Sequence, residues 1–60
     1  MFNIIYQTPF GQRKEMSFFS FSMAAYAVDR LVEEGSKPTV IFGDRDYFTV
    51  DGTTITKVSA

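Results

Sequence analysis

The 60-residue sequence contains no cysteine and no histidine. Disulfide bonds and the usual zinc ligands therefore cannot stabilise the fold. The commonest general base and the thiol nucleophile of enzymes are also missing, so we expect no catalytic site, no cofactor and no bound metal. Stability must come from the hydrophobic core or from association with another chain, because so short a chain buries only about 60% of its unfolded surface.

The sequence also has no large excess of positive or negative charge. Six basic and seven acidic residues give a net charge of −1, and Arg13 and Lys14 are the only adjacent basic pair. Nucleic-acid binding through phosphate contacts needs several clustered basic residues, so this composition argues against it. No apolar run approaches the roughly 20 residues that span a membrane. We expect a cytoplasmic protein with one small domain over residues 1–60 and no membrane contact.

One stretch of the chain has a clear helical period. Apolar residues recur there at spacings of three and four: Ala24, Ala25, Val28, Leu31 and Val32. Ser22 is predicted as the N-cap, because Phe21 and Tyr26 would then form a hydrophobic staple. Gly35 is predicted to end the helix in the left-handed conformation, with Pro38 soon after. A helix of this length is marginal alone, so its apolar stripe must pack on the rest of the chain.

Two strands are predicted before the helix. Residues 2–7 are rich in β-forming residues with alternating faces, and residues 13–19 follow with Met16 and Phe18 on one face. Residues 8–11 lie between them and have the proline and glycine of a turn. We therefore predict an antiparallel hairpin.

Three strands are predicted after the helix, at residues 39–42, 47–50 and 53–58. A polar turn at Asp44 and Arg45 separates the first two, and Ile41 would then pair with Phe48. Asp51-Gly52 is typical of a two-residue type I′ hairpin. That turn predicts three further pairs: Val50 with Thr53, Phe48 with Ile55, and Tyr47 with Thr56.

The predicted architecture is α+β, with a single helix packed on a largely antiparallel sheet in the order ββαβββ. One helix covers only one face of a sheet. The alternation assigns four residues to the covered face: Ile41, Phe48, Val50 and Ile55. It leaves seven on the other face: Val40, Phe42, Tyr47, Thr49, Thr54, Thr56 and Val58. Strand order stays open, since the two hairpins either join edge to edge or the second pairs with a neighbouring chain.

Exposed apolar patches on small proteins usually bind a partner or a second copy. We predict one contact surface with Phe19, Phe42, Arg45 and Tyr47, and a second, acidic surface on the helix with Asp29, Glu33 and Glu34. The functional hypothesis is a small non-enzymatic protein-interaction module, an inhibitor or adaptor that acts on a larger protein. If the sheet extends between chains, a homodimer is the simplest closed assembly.

Two other functions are compatible with parts of the pattern. Sheet aromatics near Arg45 and Lys57 would suit stacking of single-stranded nucleic acid, although the charge balance opposes it. Asp44, Asp46 and Asp51 are oxygen ligands for a hard cation, but their spacing does not match a calcium loop and turn formation explains them better. In size and composition the chain resembles accessory proteins of phages and mobile elements, which bind and modulate larger host machines.

Overall fold

In a computed structural model, which describes residues 1–58, the chain forms one helix packed on a five-stranded antiparallel sheet. The elements, in chain order, are β1 (Phe2–Gln7), β2 (Arg13–Phe18), α1 (Phe21–Glu33), β3 (Lys37–Phe42), β4 (Tyr47–Asp51) and β5 (Thr54–Val58). The strands lie in the order β2-β1-β3-β4-β5, and all neighbours are antiparallel. The predicted ββαβββ architecture is therefore confirmed.

The two hairpins join edge to edge within the chain, through β1 and β3. Ile4 pairs with Ile41 at this junction, and both side chains are fully buried. Helix α1 connects β2 to β3 and crosses over β1 on the way. This is one of the two arrangements that the sequence left open.

The core lies between α1 and one face of the sheet. Its buried members are Ile4, Ala24, Ala27, Val28, Leu31, Ile41 and Val50. The predicted helical stripe is correct at Ala24, Val28 and Leu31, whereas Ala25 and Val32 are only half-buried. Ala27 is buried in addition, because α1 packs over β1, β2 and β3 and so turns one side towards the edge strand β2.

The predicted N-cap at Ser22 is wrong. Ser20 has extended backbone angles, and its Oγ accepts a hydrogen bond from the Met23 N–H at 3.2 Å. The helix thus begins at Phe21, whose ring lies 5.8 Å from that of Phe2 and 4.8 Å from that of Phe48. Packing of Phe21 against the sheet outweighs the local staple on which the prediction rested.

The two serines give a direct test of this cap. Ser20→Ala is expected to lower the free energy of unfolding by about 1 kcal/mol, because the Met23 N–H loses its partner. Ser22→Ala is the matched control. It removes only the exposed 3.2 Å hydrogen bond between the Ser22 and Ser20 hydroxyls and leaves the Met23 N–H bonded to Ser20, so its cost should stay within about 0.5 kcal/mol. Urea denaturation followed by circular dichroism measures both. The reverse order of effects would mean that the helix begins at Ser22.

The helix ends at Gly35 as predicted. Gly35 has φ of +87°, its N–H donates to the Val32 carbonyl at 3.0 Å, and the Ser36 N–H donates to the Leu31 carbonyl at 2.8 Å. This pair of bonds is a Schellman motif, in which glycine takes the left-handed position at little cost.

Strand β3 begins at Lys37, two residues earlier than predicted, and includes the buried Pro38. Proline lacks the N–H that a central strand needs, so it is confined to bulges and unpaired positions. Here the register between β1 and β3 shifts next to Pro38, leaving Thr39 as an extra residue, and β4 pairs only from Val40 onwards. Pro38 is therefore tolerated inside β3. The sequence pattern indicated only that the helix ends before Pro38, and it did not place this proline in a strand.

The last hairpin has a different turn from the one predicted. Asp51 pairs with Thr54, so Gly52 and Thr53 form the loop. Gly52 has φ of +61° while Thr53 does not have positive φ, which corresponds to a type II′ turn with glycine at its first position. A type I′ turn at Asp51-Gly52 would require positive φ at Asp51 too.

The predicted partners in this hairpin are therefore wrong by two residues. Val50 pairs with Ile55 instead of Thr53, Phe48 with Lys57 instead of Ile55, and Tyr47 with Val58 instead of Thr56. Because side chains alternate with a period of two, a shift of two residues leaves each one on its predicted face. The Ile41–Phe48 pair is confirmed, with the turn closed by the Gly43 N–H donating to the Asp46 carbonyl at 2.7 Å.

Candidate functional site

Within residues 1–58, no element covers the sheet face opposite α1. The strand pairs define two rows of side chains across this open face. One row is Ser17, Asn3, Phe42, Tyr47 and Val58, and the other is Glu15, Ile5, Val40, Thr49 and Thr56. The uncovered face predicted for β3, β4 and β5 thus continues across β1 and β2.

The centre of the open face is apolar. Phe42 and Tyr47 are directly opposite each other on β3 and β4, with ring centroids 6.1 Å apart and planes inclined by 31°. They are 47% and 44% exposed. Ile5 and Val40 pair beside them and are half-buried. We call Ile5, Val40, Phe42 and Tyr47 the aromatic patch.

Polar side chains border the aromatic patch on both sides. Towards β2, the Ser17 hydroxyl donates to Asn3 Oδ1 at 2.8 Å. Towards β5, Thr49 and Thr56 face each other and are exposed. An apolar centre with a polar rim is the usual anatomy of a protein–protein interface.

The β3–β4 turn places Arg45 at the same end of the sheet as Phe42 and Tyr47. Asp44 accepts bonds from the terminal ammonium of Met1 at 3.0 and 3.1 Å, and the Asp46 carboxylate lies 3.5 Å from Lys57 Nζ. Arg45 is exposed and makes no ion pair within the described part of the chain. Its charge is therefore available to a partner beside the aromatic patch.

The same contacts weaken the cation-site alternative. Asp44 and Asp46 each already have a positively charged partner. Among the described residues, no group of three acidic side chains comes together in a way that would hold a metal ion. Asp51 lies at the far end of β4, beside the last turn. The three aspartates are explained by the turns and ion pairs of the fold.

Phe19 is exposed, as the predicted contact surface requires, at 82% of its surface. It lies one residue beyond β2, at the end of the sheet where Phe42 is also found. Strand β1 separates β2 from β3, however, so two strand spacings of about 4.8 Å each lie between them. Phe19 is thus peripheral to the aromatic patch.

The acidic residues Asp29, Glu33 and Glu34 are exposed on the helix side of the molecule, away from the open face. Arg30 lies among them and donates a hydrogen bond to the Tyr26 hydroxyl at 3.4 Å. That bond raises the pKa of Arg30 above its usual value, and attraction from Tyr26, Glu33 and Glu34 adds to the shift. The acidic surface is partly neutralised by this arginine, and it does not join the aromatic patch.

Two apolar residues outside the core, Ile5 and Phe10, were not anticipated as contacts. Ile5 is part of the aromatic patch. The alternation in residues 2–7 already placed Ile5 and Ile4 on opposite faces of β1, but only the strand order brings Ile5 beside Val40. Phe10, in the β1–β2 turn, is 91% exposed. The turn pattern around Phe10 gives no signal of this exposure.

A shallow groove runs between α1 and the edge strand β2. Its apolar lining consists of Met16, Phe18, Tyr26, Ala27 and Leu31. Arg30 and Glu34 also line it, with opposite charges. The groove is a second apolar surface, but it carries no charge preference.

Comparison of the chain with protein-family models, curated proteins and solved structures found no match. In residues 1–58, α1 is too short to cross a bilayer. Function must therefore be argued from the surfaces described above.

Proposed function

We propose that this chain is a cytoplasmic, non-enzymatic interaction module that binds a larger protein through the aromatic patch, as an inhibitor or an adaptor. The observation that supports the proposal is the Phe42–Tyr47 pair, two large rings side by side and nearly half exposed at the centre of an uncovered sheet face. Exposed apolar patches with a polar rim are commonly partner-binding sites.

The two rings are large enough to dominate an interface. An aromatic side chain buries about 150–250 Å², so the exposed part of each ring is worth about 2–3 kcal/mol when a partner covers it. Tyrosine is also among the residues that most often carry binding energy, particularly near the centre of an interface. Affinity is therefore assigned mainly to Phe42 and Tyr47, with Ile5 and Val40 filling the space beside them.

Arg45 gives the surface its charge preference. It is exposed in the turn that joins the strands of Phe42 and Tyr47, while Asp44 and Asp46 are held in ion pairs. A rim charge of this kind steers association and partner choice more than it adds affinity. We therefore expect the partner to present a carboxylate beside an apolar surface.

Removing the rings should abolish partner binding without unfolding the chain. In the double variant Phe42→Thr/Tyr47→Thr, threonine keeps the high strand propensity while most of the contact area is lost. Wild-type and variant chains carrying the same C-terminal tag are used to capture proteins from lysate of the source cells, with and without nuclease and at two salt concentrations. A stoichiometric protein recovered by the wild type should be lost with the double variant.

Phe10→Thr is the matched control, because Phe10 is a more exposed aromatic outside the patch. It should retain the partner. Retention by the double variant as well would exclude the aromatic patch as the binding site. Circular dichroism must show native structure, since an unfolded double variant would mean that the rings belong to the core and that the proposal is wrong.

The nuclease treatment also tests the nucleic-acid alternative. Paired aromatics on a sheet suit base stacking. Lys57 is paired with Asp46, however, and Arg45 lies between Asp44 and Asp46 in the sequence. Little free positive charge is therefore left near the rings to bind phosphate. We expect recovery of the partner to be unchanged by nuclease. Recovery that disappears would favour nucleic acid as the ligand of the same rings.

A further inference from the structure

The two edge strands of the sheet differ in their number of charged residues. Strand β2 carries Arg13, Lys14 and Glu15 in succession, and charged residues are the usual protection of an edge strand against pairing. Strand β5 has one charged residue, Lys57, whose amine lies 3.5 Å from the carboxylate of Asp46 in the β3–β4 turn. Its other residues are threonine, isoleucine and valine, which favour strands. The β5 edge therefore has less protection than the β2 edge, with one charged residue against three.

The register identifies which backbone groups of β5 are free. In a two-residue hairpin the residues that flank the loop exchange hydrogen bonds, and bonded pairs then alternate with non-bonded pairs. Starting from the Asp51–Thr54 pair, Thr56 and Val58 also bond to β4. The N–H and C=O groups of Ile55 and Lys57 consequently point away from the sheet, towards the open edge.

We propose that a second copy of this chain pairs with β5 to form a homodimer, with the two β5 strands antiparallel about a two-fold axis at Thr56. Ile55 would then exchange hydrogen bonds with Lys57 of the partner subunit, and Lys57 with Ile55 of the partner subunit. Each outward N–H and C=O group of these two residues then gains one hydrogen bond, and the two symmetry-related pairs give four bonds in all. The sheet would continue through the dimer as ten strands.

Charge and the position of the loop favour this register over its two neighbours. An axis at Lys57 would place two ammonium groups opposite each other, which is destabilising. An axis at Ile55 would pair Lys57 with Thr53, which lies in the loop. With the axis at Thr56, no like charges are opposite, and the aliphatic stem of each lysine covers the half-buried Ile55. The net charge of −1 adds little repulsion between the copies.

The buried area argues for a weak dimer. A pair of five-residue edge strands covers less than the roughly 800 Å² per partner of a standard stable interface. Association should therefore depend on concentration, as weak transient contacts do.

The two-fold axis lies perpendicular to the sheet, so both aromatic patches would face the same side. Their tyrosines would be about 20 Å apart, because they are separated by three strand spacings across the sheet and by four residues along it. The dimer proposal does not depend on the proposed partner binding, and each can be wrong without the other.

Amide hydrogen exchange of the wild-type protein tests the paired edge residue by residue. Exchange at Ile55 and Lys57 should slow severalfold when the protein is concentrated from about 10 µM to about 1 mM, because their N–H groups become bonded. Arg13, Glu15 and Ser17 serve as internal controls, with unchanged exchange. The Thr8 N–H bonds to the Gln12 carbonyl, so by alternation these three residues occupy the non-bonded positions of β2 and their N–H groups face the other edge. Slowing at the controls instead, or no change at Ile55 and Lys57, would overturn the proposal.

Thr56→Glu tests the axis itself. The two Thr56 side chains meet at a non-bonded pair, where Cα atoms are only about 4.5 Å apart, so two carboxylates there should weaken the dimer at least about tenfold. Thr49→Glu is the matched control. It adds the same charge on the same face, opposite Thr56 but one strand in from the edge. Sedimentation equilibrium should show weakened association for Thr56→Glu alone. Equal dissociation constants for wild type and Thr56→Glu would exclude this axis.

Discussion

Ile41→Ala is expected to bring this protein close to complete unfolding at room temperature. Ile41 is fully buried, and it pairs with Ile4 on one side and Phe48 on the other, where the two hairpins meet beneath α1. Truncating such a side chain costs about 2–5 kcal/mol. A chain of 60 residues is stabilised by only about 3–9 kcal/mol in total, at 0.05–0.15 kcal/mol per residue. No disulfide is present to compensate.

Val40→Ala is the matched control, because Val40 neighbours Ile41 on β3 but points to the open face and is half-buried. Its cost should be about 1 kcal/mol. Urea denaturation monitored by circular dichroism gives both values. Equal losses for the two variants would show that the sheet is not covered by the helix on one side only, and the assignment of the open face would then be wrong.

Phe21→Ala is expected to have the second largest effect, about 2–3 kcal/mol. The ring is 37% exposed, which lowers the cost below that of a fully buried phenylalanine. It nevertheless contacts Phe2 of β1 and Phe48 of β4, at centroid distances of 5.8 and 4.8 Å. Because α1 packs mainly on β1, β2 and β3, Phe21 gives it an aromatic contact with the β4–β5 hairpin through Phe48.

The loss should therefore be localised. Hydrogen exchange in Phe21→Ala is expected to accelerate more in β4 and β5 than in β1 and β2, because the β4–β5 hairpin loses its tie to the helix. Phe19→Ala removes a ring of the same size two residues earlier, but that ring is 82% exposed, so its cost should remain within about 0.5 kcal/mol. A uniform acceleration over the sheet would show that Phe21 contributes to overall stability without connecting these two parts.

Local patterns in the sequence were sufficient for some features of the fold. Alternation placed Phe42 and Tyr47 on the face opposite Ile41 and Phe48, and it did so even though the last hairpin was predicted two residues out of register. The sheet face of a side chain changes only when the register error is an odd number of residues, whereas any register error changes its strand partner. Sheet faces are therefore easier to predict than strand pairs. Gly35 ended the helix for a similarly local reason, its positive φ.

Features that depend on distant residues could not be obtained in this way. The N-cap moved to Ser20 because Phe21 packs on Phe2 and Phe48, contacts made across the sheet. Ile5 became part of the aromatic patch only through the pairing of β1 with β3. The ion pair of Asp44 with the terminal ammonium of Met1 likewise joins two residues that are 43 positions apart. No periodicity encodes such contacts.

The position of β1 between β2 and β3 also sets the order in which the molecule can assemble. The first hairpin contains only neighbouring strands, but its junction to β3 pairs Asn3 with Phe42, a separation of 42 − 3 = 39 residues. Until that loop closes, β1 keeps one row of hydrogen-bonding groups unpaired and Ile4 lacks its partner Ile41. A newly made chain must therefore extend through β3 before the centre of its sheet can form. Until then, the unpaired edge of β1 is open to strands of other chains.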